Sequence, residues 1–190
     1  MEQNNEFKKE VKLLNRELKY TGTLLKIYKD TVSVGDNICE WDYVEHLGAA
    51  AVLPMLDKET VVMVKQYRLA LDRYTLEIPA GKLDSKDEDY LVCAKRELEE
   101  ETGYTSDNIE FLFDSIGSNA FWNTKVRCFV ARDLKESKMH NDRDEETIVE
   151  YWNIYDLKEK IFKGEINDAK TISSVMAYLV KYGTQGGEQP

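Results

Sequence analysis

Residues 81–104 read GKLDSKDEDYLVCAKRELEEETGY, and the second half of this stretch is more acidic than a helix end tolerates unaided. The pattern predicts a helix from about Lys86 to Thr102. Ser85 with Glu88 three positions on forms a capping box at its start, and Gly103 stands where a helix ends in the left-handed conformation. At 100° per residue, Glu97 and Glu101 lie about 40° apart around the axis, and Glu100 lies about 60° from Glu97 on the other side. Glu99 points away from them. Leu91, Ala94 and Leu98 make an adjacent apolar stripe that can bury against a sheet.

Like charges at i,i+4 cost an isolated helix about 0.2–0.5 kcal/mol per pair. The macrodipole also disfavours anions near a helix C-terminus. Arg96 relieves part of this through its i,i+4 neighbour Glu100. Two readings of the glutamates stay open at this level: a solvated acidic face, or a site for a hard dication. Mg²⁺ takes oxygen ligands, usually one or two carboxylates with waters and substrate phosphate oxygens.

The flanks carry strand patterns. Ala49–Leu56 and Thr60–Tyr67 are apolar runs joined by Asp57-Lys58-Glu59, and a third run near Tyr74–Ile78 is stopped by Pro79-Ala80-Gly81. Strands resume near Ile109–Phe113, Lys125–Ala131 and Ile148–Ile154, and helices close the chain at about Leu157–Lys163 and Thr171–Tyr182. Upstream, residues 10–46 alternate in the manner of antiparallel strands, with a hairpin turn at Gly35-Asp36-Asn37. Strands around one central helix imply an α+β fold, or an α/β/α sandwich with a mixed sheet. The expected division is a β region over 1–46, a main domain over 47–183 and a flexible tail over 184–190.

The quoted stretch resembles the Nudix box, G-x5-E-x7-R-E-u-x-E-E-x-G-u, where u is a bulky apolar residue. Arg96, Glu97, Leu98, Glu100, Glu101, Gly103 and Tyr104 match without a gap, and Glu88 keeps its distance from Arg96. Gly81 departs by one, preceding Glu88 by seven positions where the pattern has six; one extra loop residue is easily accommodated. Further segments, VVMVKQYRLA (61–70), TLEIPAGK (75–82), DEETIVEYW (144–152) and GEINDAKTISSVMAYLV (164–180), resemble the ADP-ribose pyrophosphatase and nucleotide-sugar branch. The likeness covers roughly residues 18 to 182.

The resemblance implies a Nudix-type sandwich and Mg²⁺-dependent cleavage of a nucleoside diphosphate sugar, with Mn²⁺ as a substitute ion. ADP-ribose, giving AMP and ribose 5-phosphate, is the first-choice substrate. The chain lacks the proline that ADP-ribose specialists carry past the box; Ser115-Ile116-Gly117 stands there. GDP-mannose or a broad range of nucleotide sugars is therefore the alternative, and a non-catalytic nucleotide-sugar sensor is the alternative of another class. In this branch the N-terminal β region contributes to a homodimer.

By the same resemblance, Glu97 and Glu101 are metal ligands, joined by Glu100 and by the backbone carbonyl of Ala80. Arg96 and Glu88 support them from behind. The base that takes the proton of water falls in the loop 141–147, at Glu146 with Glu145 beside it; Glu100 is a further catalytic candidate. Arg68 can hold a phosphate with its fork. Glu77 can meet a ribose or that arginine. Trp41 can stack on a nucleobase, or can serve a core or a dimer interface.

Composition narrows the partners. A net charge of −10 opposes nonspecific binding to nucleic acid or to anionic membranes. The cysteines, Cys39, Cys93 and Cys128, are odd in number and widely spaced, which suits reduced thiols and a cytoplasmic protein. No apolar run is long enough to span a bilayer.

Overall fold

A computed structural model describes residues 10–139 and 147–183. Glu145, Glu146 and the tail 184–190 lie outside the described residues. The chain forms two compact units.

The first unit comprises residues up to His46 together with Ile116–Thr124. Strands β1 (Val11–Thr21), β2 (Lys26–Val34) and β3 (Asn37–Glu45) form an antiparallel sheet in that order. Val34 pairs with Asn37, so the hairpin turn has two residues, and Gly35 takes the left-handed φ of 61° that such a turn requires. Asp30 is buried and accepts both arms of the Arg16 fork at 2.7 and 2.6 Å, while that guanidinium lies 3.6 Å from the centre of the Tyr43 ring. Every position of β1 is exposed, Val11, Leu13, Leu14, Leu18 and Tyr20 among them. The segment after Ser115 joins this unit by backbone hydrogen bonds, Val44 N–H to Phe121 O at 2.7 Å and Asn123 N–H to Val44 O at 3.3 Å.

The second unit contains β4 (Ala49–Pro54), β5 (Thr60–Arg68), β6 (Arg73–Glu77), β7 (Ala80–Lys82), α1 (Tyr90–Thr102), β8 (Tyr104–Thr105), most of β9 (Asn108–Ile116), β10 (Lys125–Arg132), β11 (Lys135–Glu136), β12 (Thr147–Asn153), α2 (Ile154–Phe162) and α3 (Ala169–Tyr182). One sheet runs β7-β4-β10-β9 with β4 and β10 parallel; another runs β12-β5-β6; β8 and β11 form a short pair. The period of two sorts the side chains of the central strands between two cores. Ala51, Leu53, Cys128 and Val130 face a core shared with α2 and α3. Ala50, Val52, Phe129 and Ala131 face a core shared with α1. Because both faces are covered, β4 reads as a continuous apolar run, and β10 does so over residues 128–131. The fold is thus α+β, with helices on both sides of a mixed sheet.

Helix α1 starts four residues later than its sequence pattern suggests. Asp89, not Ser85, is the cap, accepting from Leu91 N–H at 2.8 Å and Val92 N–H at 3.3 Å. Glu88 instead accepts from the Asp84 amide at 2.6 Å in the preceding loop. Leu91, within the first turn, is exposed, so the buried stripe is Cys93, Ala94 and Leu98. Gly103 ends the helix in the left-handed region, as expected, with φ 71°.

Candidate active site

Helix α1 packs on β4 and β7, with its acidic face against Ala80 and Gly81 of β7. Glu97 and Glu101 are only 8% and 4% exposed. Burying carboxylates is costly unless each is hydrogen-bonded or paired. The Glu101 carboxylate accepts from Ala80 N–H at 3.0 Å. The Glu97 carboxylate occupies the space that a side chain at residue 81 would fill: a Cβ on Gly81 would lie 1.9 Å from its Oε1. The extra loop residue after Gly81 therefore leaves the approach of β7 to the helix intact.

Arg96 is the hub behind these groups. It donates to Glu97 at 2.7 Å, to Glu100 at 3.1 Å and to the Lys82 carbonyl at 3.1 Å, and it pairs with Glu88 at 3.5 Å and Asp84 at 3.6 Å. Burial works against its charge, but Glu97 and Glu100 outweigh that and raise its pKa. Glu99 turns aside, as the wheel requires, and accepts from the Ser137 hydroxyl at 2.5 Å.

Among the described residues, no three Asp, Glu, His or Cys side chains are gathered closely enough to hold an ion as they stand. Glu97 and Glu100 are drawn to Arg96, and Glu101 to the Ala80 amide. The donor set nevertheless fits a hard divalent cation. Two buried carboxylates stand one helical turn apart, Glu97 against Gly81 and Glu101 against the Ala80 amide, and all their donor atoms are oxygens.

A second cluster lies in the same unit. Glu77, 4% exposed, accepts from Arg68 Nε at 2.8 Å and Nη2 at 2.7 Å, from the Thr75 hydroxyl at 2.6 Å, and from Lys170. Burial pushes its carboxyl up, but Arg68, Lys170 and Thr75 together hold it down to about 2. Arg68 is raised chiefly by Glu77 and also feels Glu101, so the field of the acidic helix reaches this cluster. Arg68, Thr75, Glu77, Asp168 and Lys170 line a cavity of about 370 Å³.

The depressed carboxyl has a stability consequence. Glu77 binds its proton more weakly folded than unfolded, so its contribution is complete above the unfolded value of 4.5 and is lost as pH falls toward 2. A displacement from 4.5 to about 2 corresponds to about 3 kcal/mol at neutral pH. Denaturant unfolding between pH 6 and pH 2.5 is expected to lose stability over this window more steeply in the parent protein than in Glu77→Gln. Equal slopes for the two proteins would refute this.

Sequence reasoning did not single out Lys170, Asp168 or Thr75. Lys170 is separated from Glu77 by 93 positions, and only the packing of α3 makes them neighbours. Trp41 sits on β3 in the first unit, 46% exposed, where with Val44 and Phe121 it lines a cavity of about 620 Å³. It is not a core residue. Cys93 faces the carbonyls of Gly81 and Lys82, and burial pushes its thiol up to about 12, which suits a packed side chain and not a nucleophile.

The family profile described as the NUDIX domain matches residues 45–175, more than half of the chain. This chain belongs to the Nudix family. The match contains α1 with its acidic face, strand β7 and the Arg68–Glu77–Lys170 cluster. Nudix enzymes generally use divalent metals, in keeping with the oxygen donors of Glu97 and Glu101. An ADP-ribose pyrophosphatase of Bacillus subtilis (strain 168) is 34% identical over 176 residues, covering 91% of this Nudix chain and 92% of the relative. A methanol dehydrogenase activator of Bacillus methanolicus is 35% identical over 169 residues, covering 87% and 91%. The crystal structure of an ADP compounds hydrolase superposes with a TM-score of 0.78 over 92% of this chain and 96% of its own, at 20% identity, which bears on the fold. Among the described residues, no helix of this Nudix protein is long and apolar enough to cross a membrane.

Proposed function

We propose that this Nudix protein is a pyrophosphohydrolase that cleaves the diphosphate bond of a nucleoside diphosphate sugar, ADP-ribose first, yielding AMP and ribose 5-phosphate. The observation that carries the reading is the buried pair Glu97 and Glu101, one turn apart on α1 against Ala80 and Gly81. The relative named for ADP-ribose, matched over nine-tenths of both chains, supports the choice of substrate. Glu97, Glu101, Glu100 and the Ala80 carbonyl would hold Mg²⁺, or Mn²⁺ in its place. Bound there, the ion would polarise the phosphoryl oxygens and make water a better nucleophile.

The chain's own groups do the rest. Arg96, with Glu88 behind it, keeps Glu97 and Glu100 aimed and their charges partly compensated. Arg68, held square by Glu77, presents the outer side of its guanidinium to a phosphate. Water attacks one phosphorus, the bridging P–O bond breaks, and the leaving phosphate takes the electron pair. The proton of the water passes to Glu146, with Glu145 and Glu100 as the other candidate acceptors. Trp41 is assigned to the nucleobase.

The exposed apolar face of β1 is assigned to a homodimer interface, since an uncovered edge strand invites pairing. The unpaired thiols Cys39, Cys93 and Cys128 suit the cytoplasm, and the charge of −10 opposes nucleic acid as a partner.

The test is a panel of ADP-ribose, GDP-mannose and other nucleotide sugars with Mg²⁺ and with Mn²⁺, products separated by chromatography, on protein whose mass is measured by light scattering. AMP and ribose 5-phosphate from a dimer are expected. Equal rates on all sugars would establish a broad-range enzyme, tight binding without turnover would establish a sensor, and a monomer would remove the interface.

A further inference from the structure

Lys170 stands at the first turn of α3 between two carboxylates, Glu77 and Asp168, the latter 3.0 Å away. Asp168 is committed to the helix cap, accepting from the Thr171 amide at 2.9 Å and hydroxyl at 2.6 Å. The Thr171 hydroxyl in turn accepts from Ile78 N–H at 3.0 Å, two residues before Ala80. One chain of contacts thus runs from the α3 cap through Lys170 to Glu77 and Arg68.

Exposure separates the two cations of this cavity. The Lys170 side chain is 16% exposed and enclosed by acids, whereas Arg68 is 38% exposed. Arg68 is the one with surface to offer a ligand. Its orientation depends on a carboxylate that is 5% exposed. A fork bound to both oxygens of one carboxylate is oriented only while that carboxylate stays ionised and in place.

We infer that Lys170 is a positioning residue: it anchors Glu77, and through Glu77 it sets the Arg68 guanidinium at the angle from which substrate is held. This rests on the reading of Arg68 as a substrate contact. The charged and polar groups around Glu77 are Arg68 from β5, Thr75 from β6, and Lys170 with Asp168 from α3 and its cap; Glu101 of α1 acts on Arg68. Removing the ammonium takes away one of two cations that keep a buried carboxylate charged. Glu77 then takes up a proton at higher pH and releases the fork.

The experiment compares the full-length protein with Lys170→Met and Lys170→Arg; Lys170→Gln replaces the methionine variant if that does not fold. Two measurements are made. Carbon-detected NMR follows the titration of the Glu77 carboxyl and the Arg68 Nε–H in the free protein. Steady-state kinetics with ADP-ribose are recorded from pH 5 to pH 8. In Lys170→Met the Glu77 carboxyl is expected to titrate at higher pH than in the parent protein. KM is expected to rise about tenfold, most at pH 5, with kcat within about twofold, and Lys170→Arg is expected to restore both.

An unchanged Glu77 titration with an unchanged KM overturns the proposal, as does a loss confined to kcat. A raised titration with KM unmoved supports the anchoring and overturns Arg68 as the substrate contact. If no nucleotide sugar is turned over at all, the NMR arm still decides whether Lys170 anchors Glu77.

Discussion

Glu101→Gln is expected to turn over substrate about a thousandfold more slowly than the parent protein, a barrier increase of about 4 kcal/mol at 1.36 kcal/mol per decade. The substitution is nearly isosteric. Glu101 accepts the Ala80 amide at 3.0 Å, and a glutamine carbonyl can accept the same hydrogen bond. Strand β7 and the helix therefore stay together, and thermal unfolding should change little. What disappears is a buried negative charge at the site assigned to the ion. Loss of kcat with a higher requirement for added Mg²⁺ is the expected signature. A rate within tenfold of the parent protein would exclude Glu101 as a principal ligand.

Gly81→Ala carries the second largest effect, about a hundredfold in kcat, the scale of a misplacement of about 1 Å at a reacting centre. The new Cβ would stand 1.9 Å from Glu97 Oε1 and 2.0 Å from its carboxyl carbon. The obstacle is the far end of a side chain and not backbone, so Glu97 swings aside and the fold survives. Gly81 does not have a left-handed φ, so alanine is not strained there. Stability should stay within about 1 kcal/mol, because the stiffer unfolded chain offsets part of the lost Arg96–Glu97 pairing. The discriminating measurement is a double-mutant cycle with Glu97→Gln. If Gly81→Ala acts by displacing Glu97, it should add little in that background. Fully additive losses would sink the explanation.

Much of this site was legible in one dimension because a helix makes its own geometry. The separation of Glu97, Glu100 and Glu101 from Glu99 follows from 3.6 residues per turn, and Glu99 does turn aside to Ser137. The alternation of Ala50, Ala51, Val52 and Leu53 between two cores follows equally from the period of a strand. The start of α1 was less legible. Ser85 and Asp89 both carry capping side chains, and local spacing cannot tell which backbone amides are free to be capped.

What the sequence alone determined is the acidic face of α1, its Gly103 terminus, the strands around it, and the family to which these belong. The helix face and its terminus are set by interactions within a few residues along the chain, and the strands announce themselves by their local apolar patterns. Tertiary structure decided how the carboxylates are occupied. Glu97 lies in the space left by Gly81, Glu101 under the Ala80 amide, and Glu77 between Arg68 and Lys170. Those contacts cross 9 to 93 positions of chain, and they exist because burial in a packed core forces each charge to find a partner.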